Sequence, residues 1–166
     1  NDIIESIISQ QLSVKASDKI YKRFCSLFTK NKPTPFEILA VTKEQMREVG
    51  VSTQKVNYIK GIASAVVHNE IDFSKVQGLP DEGVIAELTK LKGVGKWTAE
   101  MILIFSLGRD DVFSVGDLGL RTAVANVYGI SRDDTKKISE VSEKWAPHRS
   151  TASRLLWKSL DNVSKK

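Results

Sequence analysis

Cysteine is nearly absent: Cys25 is the only one in 166 residues. That excludes a disulfide framework, a Cys-ligated zinc site and a four-cysteine iron–sulfur cluster. No run approaches the roughly 18 consecutive apolar residues of a membrane span, so no membrane partner is expected. There is no Gly/Ser-rich linker, low-complexity tract or repeat of about 20 to 50 residues. Nothing therefore marks an internal boundary, and a single domain over 1–166 is expected. Alternation at period two is missing as well, so no strand is nominated. The two histidines, His68 and His148, have no carboxylate or serine at a spacing that would make them acid–base groups. The chain opens on Asn1 rather than Met, and a trimmed start is expected.

What is present points to helices. Apolar residues recur at helical spacing in Ile3, Ile4, Ile7, Ile8, in Ile20, Phe24, Leu27, Phe28, and in Val56, Ile59, Ile62, Ala63, Val66. The period returns in Val84, Ile85, Leu88, Leu91, in Ile102, Leu103, Ser106, in Leu120, Ala123, Val124, Val127, in Ile138, Val141, Trp145, and in Leu155, Leu156, Leu160. Breaks fall at Asn31–Pro35, at Gly50–Ser52, at Gly78–Pro80 and at Pro147. The expected fold is all-α, a compact bundle of about eight to ten helices. A chain of this length buries roughly 70% of its unfolded surface and needs no metal staple. Cys25 lies on an apolar stripe and is expected in the core. Twenty-five Lys and Arg against 20 Asp and Glu give a net charge of +5, which favours phosphate-rich polymers or acidic surfaces as partners.

Leu91-Lys92-Gly93-Val94-Gly95-Lys96-Trp97-Thr98-Ala99 stands between two helical stripes, so the chain reverses there within about five residues. Gly93 and Gly95 would permit positive φ. A tight turn that opens a helix leaves backbone N–H groups pointing outward with the positive helix end behind them, which suits a phosphate. Lys92 and Lys96 add charge at its rim; a plain helix corner can use the same glycines. A related turn, Val49-Gly50-Val51-Ser52, precedes Lys55 and offers a second, weaker phosphate contact through Ser52 and Lys55.

Asp117, in Ser114-Val115-Gly116-Asp117-Leu118-Gly119-Leu120, directly precedes an amphipathic stripe. Its simplest role is a helix N-cap, with Ser114 and Gly116 as rivals for the boundary. A carboxylate at a helix start stays ionised easily, so capping and a chemical role are compatible.

Hairpin, helix, loop and aspartate in this order resemble the helix-hairpin-helix DNA glycosylase superfamily with a Gly/Pro-rich loop and an aspartate, HhH-GPD. Gly93-Val94-Gly95-Lys96-Trp97-Thr98-Ala99 with Asp111-Val112-Phe113 and Asp117-Leu118-Gly119 is similar to its alkylpurine branch, the 3-methyladenine DNA glycosylases. Ile7-Ile8-Ser9-Gln10-Gln11-Leu12-Ser13 and Trp145-Ala146-Pro147-His148-Arg149-Ser150 resemble that branch's first and closing helices.

The resemblance implies double-stranded DNA with alkylated bases as partner, an intracellular monomer, and hydrolysis of the bond between base and sugar. It assigns Asp117 as the catalytic carboxylate, and Trp97 and Trp157 as stacking surfaces for a flipped purine, with core packing as the other reading of Trp157. Met101 and Leu118 stand where some relatives carry tyrosines, which implies a more open pocket. Gln11 matches the residue that enters the minor groove, unless it is merely solvated. Backbone groups of Gly93, Val94, Gly95 and Thr98 would join Lys92 and Lys96 on the phosphates. The carbonyls of Thr89, Leu91 and Val94 would seat a monovalent cation; no cofactor is required. Bifunctional members carry a lysine where Trp97 stands. Lys96 is one residue early, about 100° around a helix, so a monofunctional enzyme is expected. A glycosylase for another lesion, or a DNA-binding module without catalysis, are the alternatives.

Overall fold

In the computed structural model, which describes residues 1–163, the chain clusters into two compact units, Asn1–Ala99 and a second from Glu100 onward. Both are helical, with no strand among the described residues.

The first unit begins with α1 (Asp2–Ser9) and α2 (Val14–Cys25), followed by α3 (Pro35–Ala40) and α4 (Lys43–Glu48). Its long central helix is α5 (Thr53–Val67), against which α1, α3 and α4 pack; α6 (Phe73–Val76) and α7 (Asp81–Leu88) complete it. The expected stripes are the core: Ile7, Ile8, Phe24, Val56, Ile59 and Leu88 are almost wholly buried, each contributing about 1.5–3 kcal/mol. Starts are set by side-chain caps from Ser13, Thr34, Thr42, Ser52 and Asp72. At Thr34 and Thr42 the N3 residues Glu37 and Gln45 bond back to the cap, giving reciprocal boxes. Gly50 turns at φ 100° before α5.

α8 (Lys96–Met101) leads into a π-turn at Ile102–Ser106. The second unit then has α9 (Leu118–Tyr128), α10 (Thr135–Glu143) and α11 (Arg149–Val163), with α9 packed on both others. Leu120, Ala123, Val124, Ile138, Val141 and Leu156 form its core. Asp134 caps α10, and Gly129, at φ 65°, closes α9 in the left-handed conformation.

Four expectations need correction. Eleven α-helices are described rather than about eight to ten, because α3, α4 and α6 are of four to six residues, too short for a stripe to reveal. Cys25 is half-buried beside Tyr21, and burial pushes its thiol pKa up. Val127 and Leu155 lie on apolar stripes yet are 63% exposed. The stripe through Ser106 also fails: the π-turn buries Leu103 and Ile104 and leaves Ser106 exposed.

Candidate active site

In the second unit, Asp117 is the N-cap of α9, and its Oδ1 accepts the Leu120 N–H at 2.7 Å. The same oxygen accepts the indole N–H of Trp157, on α11, at 3.0 Å. Two donors thus fix the position of one carboxylate oxygen. Gly119 makes room for this arrangement: a Cβ there would stand 3.1 Å from Asp117 Oδ1 and 3.3 Å from Trp157 Cδ1.

The loop before Asp117 is anchored from below. Fully buried Ser114 donates its hydroxyl to buried Glu100 at 2.5 Å, and its carbonyl accepts the Asp117 N–H at 3.0 Å. Further back, Asp111 pairs with Arg149 at the start of α11, through Nε at 2.7 Å and Nη2 at 2.9 Å. That bidentate pairing holds the Asp111 carboxyl below the usual carboxylate range. Ser150 Oγ accepts the Val112 N–H at 3.0 Å, so α11, which carries Trp157, is tied to the loop that carries Asp117.

Trp157 packs as the core reading expected. It is half-buried against the α9–α11 core, and its indole edge reaches the carboxylate. Leu118 beside the carboxylate is 56% exposed, and Met101 is half-buried. Sequence reasoning missed Phe105, 59% exposed on the π-turn, whose ring lies 5.6 Å from that of Trp157. Arg154 reaches over the Phe105 ring and donates to the Ile104 carbonyl at 2.6 Å, satisfying a π-turn acceptor.

In the first unit, the reversal at 91–95 turns at Gly93, φ 93°. A Cβ on Gly93 would drive into the Tyr58 ring, so glycine is required there by conformation and by space. Gly95, by contrast, does not adopt positive φ; with nothing within 4 Å of where a Cβ would stand, only open approach remains as a reason for glycine. The Val94 N–H donates to the Leu91 carbonyl at 3.0 Å, closing the turn, and the Thr98 side chain is buried. The Val94 N–H is thus committed within the turn. Lys92 and Lys96 are exposed, and Trp97 is 40% exposed.

Gln11 follows the end of α1 and is exposed at φ 58°, in a turn that lines a shallow cleft with Ser52, Lys55 and Gly93. Ser52 caps α5 by accepting the Lys55 N–H at 3.4 Å. The Lys55 ammonium lies on the Ile8 and Gln10 carbonyls, at 2.8 and 2.7 Å, a placement no local pattern indicated.

The family model described as HhH-GPD superfamily base excision DNA repair protein matches residues 4–148. The chain is similar to DNA-3-methyladenine glycosylase 1 of Schizosaccharomyces pombe, 39% identical over 160 residues, 95% of this chain and 70% of that protein. It is also similar to the alkylbase DNA glycosidase-like protein mag2 of the same yeast, 33% identical over 93% of this chain and 75% of that one. Among solved structures, a DNA-3-methyladenine glycosidase from Bacillus halodurans superposes with a TM-score of 0.86 at 38% identity, covering 100% of this chain and 78% of that one. The Schizosaccharomyces pombe 3-methyladenine DNA glycosylase in complex with abasic DNA gives 0.85 at 37% identity, over 95% of this chain and 78% of that one.

Proposed function

Because the chain belongs to the HhH-GPD superfamily of base excision DNA repair proteins, we propose that it is a monofunctional DNA glycosylase that removes alkylated purines from duplex DNA. The observation that carries this reading is the carboxylate of Asp117, gripped on one oxygen by the Leu120 N–H and the Trp157 indole. A flipped 3-methyladenine or 7-methylguanine already bears positive charge, so it departs without a strong general acid. The sugar left behind is oxocarbenium-like. An ionised, oriented carboxylate stabilises that charge and positions the attacking water. Trp157, kept upright by its hydrogen bond, offers an aromatic surface to an electron-poor base. Leu118 and Met101 are proposed as pocket residues beside it. Trp97 is a proposed stacking residue on the strength of its motif.

DNA would be held through its backbone by Lys92, Lys96, Ser52 and the glycine hairpin, with Gln11 entering the minor groove. Such contacts carry no sequence information and weaken with salt. The carbonyls of Thr89, Leu91 and Val94 are proposed to seat a structural monovalent cation. They are neutral oxygens at the end of α7 and in the hairpin, the Leu91 carbonyl already accepting the Val94 N–H. Neutral oxygen donors suit such an ion, and no step of the chemistry is assigned to it. The site of action is placed where the genome lies, the cytoplasm of a prokaryote or the nucleus of a eukaryote.

Lys96 lies about 100° around the helix from Trp97, so it does not take the position of the lysine that bifunctional members carry. The test is methylated duplex DNA incubated with the chain, scored for strand breaks before and after alkali and for adducts trapped by borohydride. Breaks only after alkali, with no trapped adduct, support the monofunctional reading. A trapped adduct contradicts it. Release of a deaminated or oxidised base instead of an alkylated one would move the substrate assignment.

A further inference from the structure

α1 stops at Ser9; Gln10, at φ −49° and ψ 130°, leads into Gln11 at φ 58°. Non-glycine residues in the left-handed region persist where their surroundings over-determine them. Two side chains supply that constraint here. The Lys55 ammonium bridges the Ile8 and Gln10 carbonyls at 2.8 and 2.7 Å, at the negative end of α1 where helical carbonyls lose their partners. Gln10 Nε2 in turn donates to the Gly93 carbonyl at 3.1 Å, tying the same turn to the glycine hairpin. Lys55 is half-buried, and desolvation lowers its pKa from the usual lysine value. Two of the three ammonium donors are therefore committed inside the protein. Lys92, on the hairpin, is exposed, and the functional reading above makes it a phosphate contact.

We propose that Lys55 is a positioning residue: by clasping the Ile8 and Gln10 carbonyls it holds the Gln10–Leu12 turn in the conformation that enters the duplex, and it does not neutralise a phosphate. The inference rests on the DNA glycosylase reading above and adds a role to it. A phosphate contact and a clasp both cost affinity when removed, but only the contact alters the salt dependence. Each neutralised phosphate adds about 0.9 to the slope of log affinity against log salt.

The experiment compares the unaltered chain with Lys55→Met, Lys55→Arg and Lys92→Met. It measures affinity for duplex DNA bearing an abasic-site analogue between about 50 and 200 mM salt, and amide hydrogen exchange over residues 9–13 without DNA. For Lys55→Met, affinity should fall about 10-fold at every salt concentration, with an unchanged slope and exchange accelerated about 10-fold or more. Arginine, which can also donate to two carbonyls, should restore most of both. Lys92→Met should lose about 0.9 of slope with exchange unaltered. A Lys55→Met protein that loses that slope while exchange at 9–13 stays slow would overturn the clasp and make Lys55 a phosphate ligand. If the unaltered chain binds no DNA, the functional reading fails separately, while the exchange comparison still decides whether Lys55 holds the turn.

Discussion

Gly119 is the second residue of α9, and its replacement by alanine separates folding from chemistry. In a helix, alanine is ordinarily favoured over glycine by up to about 1 kcal/mol, and Gly119 has no positive φ to preserve. The added Cβ would stand 3.1 Å from Asp117 Oδ1, and 3.3 and 3.4 Å from Trp157 Cδ1 and Nε1. Ordinary contact begins at 3.4 Å, so the carboxylate or the indole must yield by about 0.3 Å. These two groups are also joined to each other at 3.0 Å. A 1 Å misplacement of reacting groups costs on the order of 100-fold, so a few tenths of an ångström should cost roughly 3- to 10-fold. The assay is single-turnover base release from methylated duplex DNA with enzyme in excess, beside thermal melting. Gly119→Ala should melt at or slightly above the original Tm and release base more slowly. An unaltered rate would refute the reasoning, as would a loss of rate that merely follows a loss of Tm.

Trp157→Phe keeps an aromatic ring but removes the indole donor to Asp117, a hydrogen bond to a charged group; base release should fall about 10- to 100-fold, and wild-type rates would show that the donor is dispensable. Ser114→Ala deprives buried Glu100 of its hydroxyl partner and should lower stability by about 1–3 kcal/mol in denaturant melts, an expectation sunk by an unchanged midpoint. Glu37 accepts from the Thr34 hydroxyl at 2.7 Å and from the N–H groups of Thr34 and Thr29, which draw its pKa down from 4.5 to about 2. A lowered folded value stabilises above the unfolded pKa and is lost as pH falls through the folded one. The Tm gap between the original chain and Glu37→Gln should thus be full above about pH 4.5 and vanish toward about pH 2; a gap independent of pH would contradict this.

The helices were legible where burial repeats over several turns, as in Ile3 to Ile8 and Val56 to Ala63, because the 3.6-residue period is a local consequence of one buried face. Short elements escaped that signal, although the Thr34-to-Glu37 and Thr42-to-Gln45 spacings are the marks of capping boxes and could have located α3 and α4. Asp117 was legible as a cap, and Gly93 as a turn, because both roles are set by immediate neighbours. The grip of Trp157 on Asp117 spans 40 residues, and the clasp of Lys55 on Gln10 spans 45. No local pattern encodes such contacts; they depend on which helices pack together. The π-turn that exposes Phe105 lies beyond a period-based reading for the same reason, since an α-helical stripe presumes the regular register that the turn breaks.

The central claim is that the carboxylate of Asp117 carries the chemistry, and release of free base from methylated duplex DNA by the original chain and by Asp117→Asn tests it most directly. The amide keeps an oxygen that can accept from Leu120 and Trp157, so fold and DNA binding should persist while base release drops by about 100-fold or more. Release by Asp117→Asn at the rate of the original chain, with matched DNA affinity, would contradict the assignment.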